Sequence, residues 1–156
     1  MHLIENKADD RNEQNWGAVP FFSEVGSWYW GHGHLGPYSI VWFDALSLSG
    51  KEYFSAYVAD EHGKIICGSC ENGVVKVRPW GGEDRYPPPP NGKTPKGFEL
   101  MFNDVLGKEL RVNVTNAEVV VPYDGVYDRF IGTLEGAFVG GDERWTGVAV
   151  YEQFKV

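Results

Sequence analysis

Runs of β-branched and aromatic residues closed by short polar turns recur along this chain, and no stretch keeps an apolar repeat of helical period for more than two turns. A sheet is what such a sequence can build. Leu48-Ser49-Gly50-Lys51 leads into Glu52 to Ala59, and Asp60-Glu61-His62-Gly63 turns back into Lys64 to Gly68. Glu71-Asn72-Gly73 carries the strongest short hairpin signal and opens Val74 to Arg78, so these strands are expected to form one antiparallel meander. Further on, Gly97 to Asn103, Glu109 to Val121, Tyr127 to Val139 and Arg144 to Val156 are again β-rich. About eight to ten strands in one domain predict an all-β fold, a closed or nearly closed antiparallel barrel, because closure removes edges that would pair with other chains.

The stretch from Trp28 to Leu46, WYWGHGHLGPYSIVWFDAL, holds three of the six tryptophans and two of the four histidines. On an extended backbone Tyr38, Ile40, Trp42 and Asp44 share one face, so a carboxylate ends a row of large side chains. Burying that carboxylate is costly unless something bonds it. Asp44 is therefore either an anchor with partners or a working group in a cavity. His32 and His34 would also share a face, the spacing of a chelating pair, but no third ligand stands beside them. Hydrogen-bonding histidines at a barrel mouth fit better than a metal site. Cys67 and Cys70, in CGSC beside a turn, lack both the strand-to-helix setting of a redox pair and the second ligand pair of a zinc site. They read as reduced thiols, and neither metal nor cofactor is expected.

A formal charge of -8 opposes nucleic acid or an anionic membrane as partner, since both demand a basic face. The opening residues, MHLIENKADDRNEQN, show neither a basic n-region nor an apolar run, so a cytoplasmic protein without signal peptide or membrane span is expected. Residues 1–12 read as a flexible arm and 13–156 as a single barrel domain, with order beginning near Asn15-Trp16-Gly17 and Pro20-Phe21-Phe22. Between Pro79 and Pro95 the pattern breaks into PWGGEDRYPPPPNGKTP, a stiff surface connection that reads as a lid or spacer. Its Trp80 and Tyr86 either cover an opening or pack beneath the loop.

In the last strand Trp145, Gly147, Ala149, Tyr151 and Gln153 share a face, and Gly132 and Gly136 lie among bulky neighbours in the strand before it. Small residues facing inward would leave room, and a space lined by Trp, Tyr and a few polar groups would select an apolar, partly oxygenated molecule.

Asn15-Trp16-Gly17, WYWGHG, GPYSIVWFD, EYFSAYV, the YPPPP loop and the closing GVAVYEQF, taken together, resemble the C-terminal half of the lipocalin-like family that includes the acyclic-carotenoid hydratases and the fungal Diels-Alderases. The resemblance covers roughly residues 10–156. It implies a lipocalin-like β-barrel and a small hydrophobic substrate from polyketide or terpenoid metabolism. Members usually carry two such barrels, so a homodimer or a pocket inside one barrel would replace the second. The hydratase branch expects an aspartate at Asp44 and a histidine near Asn-Trp-Gly, where this chain reads Glu13-Gln14-Asn15-Trp16-Gly17. That departure puts a Diels-Alder or hetero-Diels-Alder cyclisation ahead of polyene hydration or isomerisation. A cycloaddition needs a folded substrate and a hydrogen bond to a carbonyl more than a nucleophile. The expected catalytic set is Asp44, Tyr38 and His32. Trp28, Trp30 and Trp42 are expected as walls, with Tyr57, Trp80, Arg129, Trp145 and Tyr151 as further substrate contacts. A non-catalytic carrier would need the same space without a poised acid, and an interaction module would show an exposed apolar patch instead.

Overall fold

The computed structural model describes residues 23–82, 85–90, 92–123 and 126–155. The arm at 1–12 and the landmarks Asn15-Trp16-Gly17 and Pro20-Phe21-Phe22 lie outside the described residues. Nine strands follow one another: β1 Val25–Leu35, β2 Tyr38–Ser47, β3 Glu52–Ala59, β4 Ile65–Ser69, β5 Val75–Trp80, β6 Gly97–Val105, β7 Lys108–Tyr123, β8 Tyr127–Phe138 and β9 Trp145–Lys155. All neighbours pair antiparallel in one sheet of order β4-β3-β2-β1-β9-β8-β7-β6-β5. The expected all-β barrel is the observed fold. Among the described residues no helix is long and apolar enough to cross a membrane.

Alternation builds the core. Leu110, Val112 and Val114 of β7 point inward while Arg111, Asn113 and Thr115 between them face out, and β2 buries Ile40, Trp42 and Asp44 in the same rhythm. Phe98, Leu100 and Phe102 of β6 and Phe130 and Leu134 of β8 complete a continuous apolar interior. At Gly36 the link from β1 to β2 takes φ +55°, and a side chain there would strike the Trp145 ring, so glycine meets both demands.

The meander is one strand shorter than expected. β4 and β5 do not pair; they are the two edges of the sheet. The Glu71-Asn72-Gly73 turn does form, with Val74 N–H donating to the Glu71 carbonyl at 3.1 Å and Gly73 at φ +79°. Its exit is captured by β6 instead: Asn103 N–H donates to Val74 O at 2.9 Å and the Asn103 side-chain amide donates to Gly73 O. The turn thus carries the chain across the mouth of the barrel from one edge to the other. Side chains, not a backbone ladder, join β2 to β5 there.

Candidate active site

That join is made by Asp44. Its Oδ2 accepts from Val77 N–H of β5 at 2.8 Å and from Arg78 Nη1 at 3.0 Å, so the carboxylate takes the place a neighbouring strand's carbonyl would fill. Arg78 Nη2 donates to Glu52 Oε1 at 2.7 Å, and its guanidinium lies 3.6 Å from the centre of the Tyr86 ring, whose hydroxyl donates to the same Glu52 oxygen. One cation is therefore divided between two carboxylates. Burial pushes the Asp44 carboxyl up to about 6; Glu52 adds to the rise, while the Val77 N–H and Arg78 oppose it. Burial outweighs the ion pair because Arg78 is shared with Glu52 and Asp44 is only 1% exposed.

Four buried polar atoms at this end have no hydrogen-bond partner among the described residues: Asp44 Oδ1, Tyr29 Oη, Ser27 Oγ and Gln153 Oε1. Their grouping follows from register. Asp44 faces Tyr29 across β2 and β1, Tyr29 faces Gln153 across β1 and β9, and Gln153 faces Asp128 across β9 and β8. Ser27 lies two residues from Tyr29 on the same inner face. Each such orphan costs about 1 to 3 kcal/mol, a cost a fold keeps where a ligand or water offsets it. Burial raises the Tyr29 phenol, with the Asp44 charge adding to it, so Tyr29 stands here as a protonated donor. Tyr86 covers the Asp44 side of the row, with its ring 6.2 Å from that of Tyr29. On the other side Lys155 Nζ donates to Gly92 O at 2.6 Å, and Thr94 Oγ1 donates to Asp128 Oδ2 at 3.5 Å. Described residues of the proline-rich connection thus meet both ends of the row, with Tyr86 on its Asp44 side.

The remaining expected site residues fall in four places. Trp42 and Tyr151 sit inside next to the row: their rings are 6.2 Å apart, Tyr151 stacks on Phe130 at 5.3 Å, and its hydroxyl donates to Asn116 Oδ1 at 2.6 Å. Trp28, Trp30 and His32 alternate with inward-facing Tyr29, Gly31 and Gly33, so they lie on the outer face and cannot wall the space beside Asp44. Trp28 stacks on Phe154 at 4.3 Å and donates to Glu152 at 3.2 Å; Trp30 adjoins His32 at 5.6 Å. Arg129 is also outside, paired with Glu152 at 3.1 Å, and Tyr57 is out of phase with the buried Ala56 and Val58. Tyr38 and Trp145 form an edge-to-face pair, 5.1 Å between centroids, together with Phe138. Six residues of extended strand, about 20 Å, separate Tyr38 from Asp44, so the two cannot touch one reacting group. Trp80 packs over Gly97, its indole N–H buried and without a partner among the described residues.

Inward glycines do not leave empty room. A Cβ on Gly31 would come within 2.2 Å of the Trp42 ring and one on Gly132 within 2.2 Å of the Tyr151 hydroxyl, so the missing side chains are filled by these large neighbours. An open groove of about 700 Å³ runs along the outside of β5 to β8, edged by Arg78, Glu99, Arg111, Asn113, Glu135 and Arg144, on the side facing away from the core. Cys67 and Cys70 are free thiols, and among the described residues no three His, Cys, Asp or Glu side chains gather as metal ligands. The residues that pattern reading missed are Tyr29, Ser27, Glu52 and Arg78, whereas Gln153 stands on the inward face of β9 where the alternation puts it, though with no role assigned to it. Gly31 and Gly33 were the available signal: small residues at alternate positions mark the face that rings press against.

No family model matches the chain. In sequence it is similar to the quinolone epoxide rearrangement protein penF of Penicillium thymicola, 42% identical over 144 residues, and to asqO of Emericella nidulans, 40% identical over 144 residues. Each match takes in 92% of this chain and 39% of the relative, so the chain spans about two fifths of the length of these proteins. In structure it resembles CghA with a TM-score of 0.69 and 14% identity, over 88% of this chain and 42% of that one. The lipocalin-like fold implied by the aromatic landmarks is the one this chain has, and its homologues are quinolone epoxide rearrangement proteins.

Proposed function

From its likeness to quinolone epoxide rearrangement proteins, we propose that this chain is the acid-bearing barrel of an enzyme that rearranges or cyclises a small, largely apolar, oxygenated intermediate of fungal secondary metabolism. The observation that carries this reading is Asp44: a buried carboxyl raised to about 6, with one oxygen held by Val77 and Arg78 and the other unpaired among the described residues beside Tyr29. A carboxyl near 6 is protonated often enough at neutral pH to serve as a general acid. In the proposed step Asp44 gives its proton to an epoxide oxygen on the substrate, with Tyr29 as second donor. The C–O bond opens, a neighbouring bond or internal nucleophile closes onto the electron-poor carbon, and a proton returns to Asp44. Substrate and product are isomers. The substrate enters at the barrel end by displacing the Tyr86 side chain, and the step draws on no cofactor.

A Diels-Alder or hetero-Diels-Alder cyclisation is the second reading, favoured by the clustered rings of Trp42, Tyr151 and Phe130 beside the acid. There Asp44 and Tyr29 would only hydrogen-bond a carbonyl of the dienophile, so rate would follow donor strength without net proton transfer.

Incubation with a quinolone epoxide, product resolved by chiral chromatography because mass is unchanged, tests the first reading. Asp44→Asn keeps size and an acceptor for Val77 N–H. It should fold and lose more than tenfold in turnover. Full turnover in a normally folded Asp44→Asn protein would make Asp44 a strut only and defeat the acid role.

A further inference from the structure

We infer that Gln153, with Tyr29 and Ser27 beside it, determines specificity by accepting a hydrogen bond from an N–H or O–H that stands next to an acceptor oxygen on the ligand. This rests on the reading above that the Asp44 end is the reacting site.

Gln153 is 2% exposed, on the inner face of β9, with its Oε1 buried and unpaired among the described residues. An amide oxygen only accepts, so it is satisfied by a donor, on a ligand or on a water that the ligand displaces. Tyr29, its cross-strand neighbour, and Ser27 on the same inner face each carry a hydroxyl that can donate to an acceptor. Side by side, these groups match an edge on which a donor and an acceptor are adjacent, as in a secondary lactam, and mismatch a lactone or an N-alkylated lactam. Asp44 stands on the far side of Tyr29 from Gln153, about two strand spacings or 10 Å away along the sheet. That distance matches the length of a fused two-ring molecule, which in this assignment would set its donor edge at Gln153 and its reactive oxygen at Asp44 once the side chains of the row give way to it. The row thus separates recognition from chemistry. Discrimination of this kind is strong, because a ligand lacking the donor leaves a buried acceptor bare.

Binding of quinolin-2(1H)-one and of its N-methyl derivative to the full chain, followed by calorimetry, tests the assignment. The N–H compound should bind at least tenfold tighter. Gln153→Leu should erase that preference by weakening the N–H compound alone, and Gln153→Glu, which keeps an acceptor oxygen, should restore part of it. Asp44→Asn should keep the N–H preference while turnover falls, so loss of the acid role and loss of the specificity role are told apart. Equal affinity of the wild-type chain for both compounds, or no binding of either at millimolar concentration, would overturn the assignment and leave the row to water. So would an equal loss for both compounds in Gln153→Leu, which would mark a structural residue.

Discussion

At the scale of single residues, two requirements meet where Asp44 and Gly31 face the interior. Asp44 is held at one oxygen and, among the described residues, unpaired at the other, so its acidity is set by burial and by the charges nearest it. Activity that needs its protonated form should fall as pH rises through about 6, and that limb should vanish in Asp44→Asn; a pH–rate profile of kcat/KM checks it. Gly31 is fixed by space. With a Cβ 2.2 Å from the Trp42 ring, Gly31→Ala should cost about 1 to 3 kcal/mol, read from urea unfolding. Asp44 was legible because YSIVWFDAL alternates cleanly, with Ile40 and Trp42 buried in the same phase as the acid. Trp28, Trp30 and His32 were not, because in WYWGHGH rings occupy both phases. Only packing against Trp42 and Tyr151 decides which phase is inside.

Between elements, the informative contact is the one from β2 to β5. Strand limits such as Glu52–Ala59 follow from local turn chemistry and could be read directly, whereas the separation of β4 from β5 could not. Asn103, thirty residues on from Gly73, takes the exit of the turn, and no local pattern encodes that. Nothing in VVKVR sets Arg78 apart from Lys76 two residues before it, yet Arg78 binds Asp44 and Glu52 at once. Arg78→Met should lower the urea unfolding free energy by about 1 to 3 kcal/mol. It should also move the activity limb of Asp44 to higher pH, since a cation that favours the carboxylate is lost; Glu52→Gln, removing a neighbouring anion, should move it lower. A shift of both variants in the same direction would contradict the shared-charge account.

For the whole molecule, the Asp44 carboxyl ties pH to stability. Its value is raised from 3.8 in the unfolded chain to about 6 in the fold, so between those values the folded state binds more protons than the unfolded one. The contribution of this group is fully present below the unfolded value, declines as pH rises through the window and is gone above it, about 2 to 3 kcal/mol in all. Asp128, also raised by burial, acts in the same sense. Urea unfolding from pH 4 to pH 7 should show a flatter dependence in Asp44→Asn than in the wild type. The rivet that keeps the cylinder from unrolling is, in our proposal, also its proton donor. Natural variation at position 44 would then be caught between two demands: a change that sharpens the acid loosens the hoop, and one that tightens the hoop blunts the acid. Descendants of this scaffold should explore new reactions by altering the neighbours, Glu52, Arg78 and Tyr86, and leave the rivet in place.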